Sequence, residues 1–441
     1  MKLIIANTRT EEMNGDLSRL SGAERTGGAW GAQAMLWFAT DGDVVVLPWL
    51  PPPALLAYVT GLTRTDPRSL TLLAPSPGDL GEDLLTPDRM ADAELRAELR
   101  KALDGKAVAR VLACCNDYAV VDLVEELGIA QALAGHAFAK QGGVGIVNSK
   151  AVFRALAVGA GIAIPSGIVT AQRRQATDAI KRILGTGHPV MVKQEFAGGG
   201  FGNAILAPRE GVVAAGAFGV TVLAEPCDVD AFVAETWDWM TGYRRDRVVI
   251  ERFYPECSTV YGEFELTDHE SELSGTGELL MEPVAAGEIV PPPALTPDQR
   301  AELVREAKRV CESFRRLGYR GPLSADAILT PDGEILFTEA NCRLTGSTHL
   351  HAVVRGRLLS GGGNDRTLLE RDRWPVPSFE AAVEALRTSG LGFDPATGTG
   401  VVITANYVPL TGAVMYCAVA ADITSAEELE ARLLALDVVP A

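Results

Sequence analysis

The chain lacks most of the short patterns that announce a mechanism. It has no G-x-x-x-x-G-K-[ST] loop, no H-E-x-x-H, no C-x-x-C and no G-x-S-x-G. These absences argue against a P-loop ATPase, a zincin-type metal site, a paired-cysteine zinc centre and a serine nucleophile elbow. Its seven cysteines (114, 115, 227, 257, 311, 342 and 417) are odd in number and scattered, so they read as reduced residues and not as a disulfide frame. His349 and His351 could share one face of a strand or diverge on a helix, and no further ligand spacing accompanies them. Positive charge is also short: 40 Lys and Arg against 57 Asp and Glu leave a net charge of −17, which phosphate backbones and anionic lipid surfaces repel. No nucleic-acid or membrane partner is therefore expected. Long apolar runs are missing too. Leu3–Ala6 is too short for an export signal, Val44–Thr63 is broken by Pro48, Pro51, Pro52 and Pro53, and Pro395–Ala421 by Gly398, Gly400, Pro409 and Gly412. The expected location is the cytoplasm.

What is present fits a globular enzyme of about three folding units, given 441 residues of which 47% are hydrophobic and 22% charged. Up to residue 145, short aliphatic strands (Leu3–Ala6, Val44–Leu47, Leu70–Ala74, Ala107–Cys114) alternate with helices (Gly31–Ala39, Ala54–Val59, Ala91–Leu103, Ala119–Leu127), the pattern of a parallel α/β domain. Beyond it the texture becomes α+β. A helix is expected over 150–158 and another over 173–184, with β-hairpin material from 190 to 345 interrupted by the helix Gln299–Leu317. Residues 346–390 read as helical around a Gly361-Gly362-Gly363 loop. The tail from 391 to 441 reads as two strands and a helix, a small C-terminal unit.

One hairpin carries the sharpest inference. In Ser324-Ala-Asp326-Ala-Ile-Leu-Thr-Pro-Asp332-Gly333-Glu334-Ile-Leu-Phe-Thr-Glu339-Ala-Asn341, Asp332-Gly333 signals a two-residue turn. Pairing outward from that turn sets Asp326 opposite Glu339 and Ser324 opposite Asn341. Side chains alternate along a strand, so Asp326, Glu339 and Asn341 share a face, with the two carboxylates about 5 Å apart at Cβ. Like charges so placed repel unless a cation joins them. Two carboxylates and an amide oxygen are hard ligands that suit Mg²⁺ carrying nucleotide phosphates. The competing reading is an exposed hairpin face, or a pair sharing one proton.

Two further stretches lie upstream. A β-rich run delivers Lys193 and turns at Gly198-Gly199-Gly200-Phe201-Gly202, where backbone N–H groups can approach an anion without a Cβ in the way. Then Val248-Val-Ile-Glu251-Arg252-Phe253-Tyr254-Pro255-Glu256 offers an extended backbone able to bond a flat heterocycle. Together, in this order, these elements resemble the ATP-grasp superfamily over about residues 146–350.

The resemblance implies a pre-ATP-grasp α/β domain at 1–145, an ATP-grasp domain at 146–390 with its nucleotide-binding subdomain near 165–260, and a small α+β domain at 391–441. It implies ATP and Mg²⁺ as cofactors. Lys150 in Asn148-Ser149-Lys150, Lys193, Gly198–Gly202 and Glu251–Tyr254 would bind the nucleotide. Asp326, Glu339 and Asn341 would hold the metal, and Arg343 with Lys193 would serve catalysis by steadying phosphate or acyl-phosphate oxygens. Glu256 is the candidate for the ribose, although it stands about a residue early and Cys257 is nearer the usual place. More narrowly the chain is similar to the peptide ligases of pheganomycin-type antibiotic biosynthesis. That similarity implies a homodimer joining a guanidinoacetic-acid-type or amino-acid carboxylate to the N-terminal amine of a peptide through an acyl phosphate.

Alternatives stay open at this point: a carboxylase or phosphotransferase using the same nucleotide site, or a non-catalytic nucleotide-binding scaffold. The acids from Glu256 to Glu282 (256, 263, 265, 268, 270, 272, 278 and 282) either form a solvated edge or receive a cationic substrate group. Trp237 and Trp239 either line a pocket or, as alternate aromatics on a strand or loop more often do, serve packing.

Overall fold

Aliphatic runs buried on both faces suit the inside of a covered parallel sheet. In the computed structural model, which describes residues 1–244, 246–359 and 365–438, the first four strands do so. They are β1 (Lys2–Ile5), β2 (Val44–Val46), β3 (Thr71–Leu73) and β4 (Arg110–Ala113), parallel in the order β3-β2-β1-β4. Leu3, Ile4, Ile5 and Val44–Val46 have no exposed surface. One expected helix is misplaced. The chain over 31–39 is instead the end of a helix at Gly22–Ala32 and a tight 3₁₀ segment at Gln33–Phe38. The start is fixed by Ser21 and Glu24, which form a capping box.

A second sheet contains β5 (Gly167–Thr170), β6 (Val190–Gln194), β7 (Asn203–Ala207), β8 (Val220–Val222) and β9 (Val248–Arg252), in the order β5-β9-β6-β7-β8. The helices Arg173–Gly185 and Pro226–Met240 pack on it through Ala176, Ile180, Val229 and Val233. The second helix corrects the expectation of continuous hairpin material. Pro226 at its first position and the Glu225–Asp228 capping box start it, and Trp237 and Trp239 ride on it half-buried.

The third sheet is the frame of the molecule. It joins β10 (Ser258–Leu266), β11 (Ser271–Met281), β12 (Ala285–Val290), β13 (Gly321–Leu329), β14 (Ile335–Asn341), β15 (Thr367–Pro375), β16 (Gly400–Asn406) and β17 (Ala413–Ala420). Their order is β14-β13-β10-β11-β12-β15-β17-β16, antiparallel throughout. The helix Pro297–Leu317 covers one part of it, with Leu303, Ala307, Val310 and Phe314 fully buried.

Residues 346–390 are not all helical. Leu350–Leu358 and Phe379–Ser389 are helices, but β15 lies between them, and the Gly361-Gly362-Gly363 loop falls outside the described residues. Through β15, which pairs with β12 on one side and β17 on the other, the tail continues the same sheet. The tail also shares a core with the N-terminal unit, where the buried Trp37 indole N–H donates to the Thr404 carbonyl at 2.9 Å.

Gly287 makes the β12–β15 joint possible, because a Cβ there would collide with the Glu370 carbonyl oxygen. Gly287→Ala is expected to lower the urea midpoint by the equivalent of about 2 kcal/mol. Gly185→Ala, with open space around it, should leave the midpoint unchanged or raise it. Equal midpoints for the two variants would mean that the joint does not depend on this close approach.

Candidate functional site

The carboxylate hairpin reaches the expected pairing by an unexpected route. Its tip is not a two-residue turn. Thr330 and Glu334 close a three-residue loop, with the Thr330 N–H donating to the Glu334 carbonyl at 2.9 Å and Gly333 at φ 86°. That loop offsets the strands by one, so Leu329 faces Ile335 and Ala327 faces Phe337. A β-bulge at Thr338 then takes the offset back, and Asp326 faces Glu339 while Ser324 faces Asn341. The three expected metal ligands are thus brought together. The Asn341 side-chain amide lies 2.8 Å from Asp326 Oδ2 and 3.4 Å from Glu339 Oε1, and the Ser324 hydroxyl donates to Asp326 Oδ1 at 2.7 Å.

Cations crowd the same carboxylates. Lys150 Nζ is 3.4 Å from Glu339 Oε2 and donates to the Ala197 carbonyl, in the glycine loop, at 2.6 Å. Burial pushes the Asp326 carboxyl up, to about 7, with Glu339 adding to the effect. Burial pushes Glu339 the same way, but Lys150, Lys193 and Arg343 outweigh it and hold Glu339 ionised below the usual range. Burial also lowers the Lys150 ammonium, with Glu339 opposing. One carboxylate is thus kept charged and its neighbour is kept short of a counter-charge, a donor set that fits a hard divalent cation. Half a rotation of the Asn341 amide would turn its oxygen toward such an ion.

Lys193 and Glu251 form a layer beneath. Lys193 Nζ lies 2.7 Å from Glu251 Oε1, and the Arg154 guanidinium takes the other oxygen of that carboxylate while bonding the Pro165 carbonyl at 2.8 Å. Glu251, 2% exposed, is therefore a buried counter-charge, and only its backbone is open to a ligand role. Along the hinge, the Arg252 and Phe253 N–H groups are taken by the carbonyls of Ser166 and Pro189, at 2.8 and 2.9 Å. Arg252 stacks 4.3 Å from the centre of the Tyr254 ring. Glu256 is exposed at a turn with φ 58°.

The glycine loop is conformationally specified. Gly199 and Gly200 have φ of 63° and 81°, and a Cβ on Gly200 would sit 2.7 Å from Val284 Cγ1. Phe201, 49% exposed, leans on Phe218 at 4.8 Å between ring centres. Arg343 comes up to this loop from behind β14, bonded only to Asn148 Oδ1 at 3.0 Å among the described residues. A cleft of about 240 Å³ lies beside the loop, between Ala197–Gly198, Trp239 and the segment Asn14–Asp16 of the N-terminal unit.

Most of a second group of residues escaped the sequence reading, which named only Glu263, among the acids that could receive a cationic group, and the pair His349 and His351. On the sheet face that carries Asp326, Tyr261 lies opposite Asp326 and Glu263 opposite Ser324. Further along, Glu288 lies directly opposite Glu370, both buried. Tyr261 donates to Glu288 and meets His351 Nε2 at 3.0 Å, while His349 Nε2 is 2.8 Å from Glu370 Oε1. Glu263 accepts from the hydroxyls of Thr345 (3.1 Å) and Ser347 (2.9 Å). Burial, reinforced by Glu370, raises Glu288 to about 8, and burial lowers His351 to about 3. Gly275 and Gly277 lack side chains where the His351 ring and the Tyr261 hydroxyl lie. The two histidines are thus parts of this belt. Among the described residues no group of three or more His, Cys, Asp and Glu side chains is arranged to hold a metal. Of the acids from 256 to 282, Glu263 alone is buried, Glu265 pairs with Arg110 at 2.7 Å, and Glu256, Asp268, Glu270, Glu272 and Glu282 are exposed.

Comparison with solved structures decides the architecture. Biotin carboxylase from Campylobacter jejuni, in a β-γ-ATP complex, superposes with a TM-score of 0.58 at 12% identity, covering 96% of this chain and 88% of its own. N5-carboxyaminoimidazole synthetase from Staphylococcus aureus, complexed with ADP, gives 0.56 at 12% identity over 98% and 96%. The chain has an ATP-grasp fold. Ahead of the grasp, residues 32–129 match the family described as the Pre ATP-grasp domain, and residues 381–433 match the PGM1 C-terminal domain. Among curated proteins, the [butirosin acyl-carrier protein]–L-glutamate ligase of Niallia circulans is 31% identical over 110 residues. That match spans 24% of this ATP-grasp chain and 26% of the relative, about a quarter of each. Among the described residues, no helix is long and apolar enough to cross a membrane.

The raised Asp326 carboxyl has a consequence for stability. Its folded-state value lies above the unfolded value, so the folded chain binds the extra proton and stability falls as pH rises from about 4 through 7. Metal-free Asp326→Asn is therefore expected to melt above metal-free wild type at pH 8, with the gap closing toward pH 4. A gap that does not change with pH would show that the opposed carboxylates are not strained in this way.

Proposed function

We propose that the chain is an ATP-dependent ligase that joins a carboxylic acid to an amine, releasing ADP and phosphate. The observation that carries this reading is the opposed pair Asp326–Glu339 with Asn341, facing Lys150 and the glycine loop. A carboxylate and an amine do not condense at neutral pH, because the carboxylate is a poor electrophile with a poor leaving group. Attack of a carboxylate oxygen on the γ-phosphorus of ATP forms the acyl-phosphate C–O–P linkage and breaks the bond from that phosphorus to the bridging β-oxygen, so ADP departs. The neutral amine then attacks the carbonyl carbon, the C–O bond breaks, phosphate leaves, and the nitrogen loses its extra proton.

Asp326, Glu339 and Asn341 would hold Mg²⁺, which when bound neutralises charge on the phosphate oxygens. Lys150 bridges the glycine loop and Glu339, so it can carry phosphate charge once Glu339 is engaged elsewhere. Lys193 and Arg154 share the single carboxylate of Glu251, which leaves the floor one positive charge in excess. Arg343, with no carboxylate partner among the described residues, offers a planar donor pair to developing anionic oxygens. The glycine loop covers the acyl phosphate against water. The buried belt of Glu263, Glu288 and Glu370, on the metal face of the same sheet, suits a cationic amine or guanidinium.

The Niallia circulans relative, an L-glutamate ligase, supports an amino-acid carboxylate as donor, and the likeness to pheganomycin-type ligases a guanidinoacetic-acid-type one. The likeness to pheganomycin-type ligases supports a peptide N-terminal amine as acceptor, antibiotic biosynthesis as the setting and a homodimer as the working form.

An ADP-release screen over acid–amine pairs, with mass spectrometry of the products, tests the reading. ADP should appear only when both partners are present, and the product mass should equal their sum less water. Glu339→Gln should lower kcat by at least about 100-fold. ADP release with bicarbonate and no organic acid would replace the ligase with a carboxylase. Glu263→Gln is expected to raise the KM of a cationic amine at least tenfold while leaving a neutral analogue within twofold, and equal effects on both would remove the belt from the reading.

A further inference from the structure

Arg9 follows β1 in the N-terminal unit and lines the cleft beside the glycine loop. It is half-buried, yet among the described residues its guanidinium forms no hydrogen bond and no ion pair. Its neighbours do not balance its charge. The Tyr407 phenol and the Cys114 thiol beside it are both driven up by burial and stay neutral, the thiol at about 11. Glu24 acts on Arg9 without an ion pair; its carboxylate caps its own helix, accepting from the Ser21 N–H at 2.7 Å and the Ser21 hydroxyl at 2.6 Å. Asp16, also in the cleft, is committed to the Ser18 N–H at 3.0 Å and the Ser18 hydroxyl at 2.6 Å. Asp246 stands in the cleft too, with its carboxyl driven up by burial. The other strong charge felt by Arg9 is like its own: Arg343, the guanidinium that reaches the glycine loop from the grasp.

Two half-buried guanidinium groups that feel each other's charge repel, and desolvation adds to the cost. The fold nonetheless makes room for the arrangement. The helix Gly22–Ala32 has Gly28 where Arg9 passes, and a Cβ there would lie 2.9 Å from Arg9 Cγ. Lys150 and Lys193, by contrast, already have Glu339 and Glu251 as partners. Arg9 and Arg343 therefore have no ion-pair partner among the described residues; Arg9 lines the cleft from the N-terminal unit, and Arg343 reaches Gly198, in the lining of that cleft, from the grasp.

We propose that Arg9 and Arg343 together receive the oxyanion of the acid substrate, the carboxylate that is to be activated, and afterwards the phosphate that it sheds. The N-terminal unit thereby supplies a binding residue to the grasp. A carboxylate held between two planar donors is screened from the ATP phosphates it must approach, which would otherwise repel it. This assignment rests on the ligase reading but has its own test.

In the full chain, Arg9→Met keeps the stem against Gly28 and removes the charge, and Arg9→Lys keeps the charge without the fork. With MgADP bound, titration of inorganic phosphate by calorimetry should show at least a tenfold weaker affinity for Arg9→Met than for wild type, with Arg9→Lys between them. MgADP affinity itself should stay within twofold. Equal phosphate affinities, or no phosphate binding by wild type, would overturn the proposal. Under turnover, Arg9→Met should raise the KM of the acid at least tenfold and that of ATP less than twofold, and parallel changes would place Arg9 on the nucleotide and overturn it as well. Failure of the ligase reading looks different: no acid–amine pair makes the wild type release ADP, and the phosphate titration then decides the anion site alone.

Discussion

Two carboxylates face each other across a strand pair at Asp326 and Glu339, and most of what surrounds them answers that repulsion. Lys150, Lys193 and Arg343 keep Glu339 charged, while Asp326 is left with an amide and a hydroxyl as partners. The asymmetry matters. A pair in which both carboxylates were fully neutralised by protein cations would have nothing left to offer an incoming ion. A pair with no cations near it would share a proton and lose its charge. The observed balance lies between these limits, and charge is concentrated where phosphates would bring their own excess of negative oxygen.

The same solution recurs further along the sheet. Glu288 faces Glu370 as Asp326 faces Glu339, but here the neighbours are a phenol, two imidazoles and hydroxyl groups, with no lysine. The first pair therefore suits a small hard ion and the second a bulkier organic cation. That both stand on one face follows from strand alternation and the register of five antiparallel pairings from β14 to β15. One sheet can thus hold a small hard ion and an organic cation at a fixed spacing. The glycines of β11 keep the strand between them free of obstruction.

How much of this was legible depended on how local the signal was. The strands of the first sheet, the helix after Gln299 and the pairing of Asp326 with Glu339 could be read from short windows. The pairing was reached through two errors that cancel, since the loop at Pro331–Gly333 is one residue longer than a two-residue turn and the bulge at Thr338 removes one residue of offset. No sequence rule announces that bulge. The Pro226–Met240 helix was missed because Trp237 and Trp239 alternate like strand residues, although the Glu225-Pro226-x-Asp228 start was visible. In β15, the charged run Glu370-Arg-Asp-Arg373 hid a strand whose buried positions are Thr367, Leu368, Leu369, Glu370 and Trp374. The belt was legible only in fragments, Glu263 as one acid of a run and His349 with His351 as a pair. Its members come from β10, β12, β15 and the helical stretch at His349–His351, more than 100 residues apart in total, and each looks ordinary in its own window.

Arg9 illustrates the limit from the other side. Nothing near it in sequence distinguishes it from any surface arginine. Only the fold shows that its neighbours are a neutral thiol, a neutral phenol, a committed glutamate and a second arginine. A guanidinium can remain in such a place only if the fold tolerates the cost or a ligand removes it. Gly28 argues for the second, because a helix that gives up a side chain to let Arg9 pass has been shaped around that residue and not merely burdened by it. Placing this charge on the N-terminal unit also couples the two units through chemistry. In the proposed ligase, the acid would touch both units before its phosphorylation, and a grasp domain separated from its partner would keep the nucleotide site while losing half the grip on that acid.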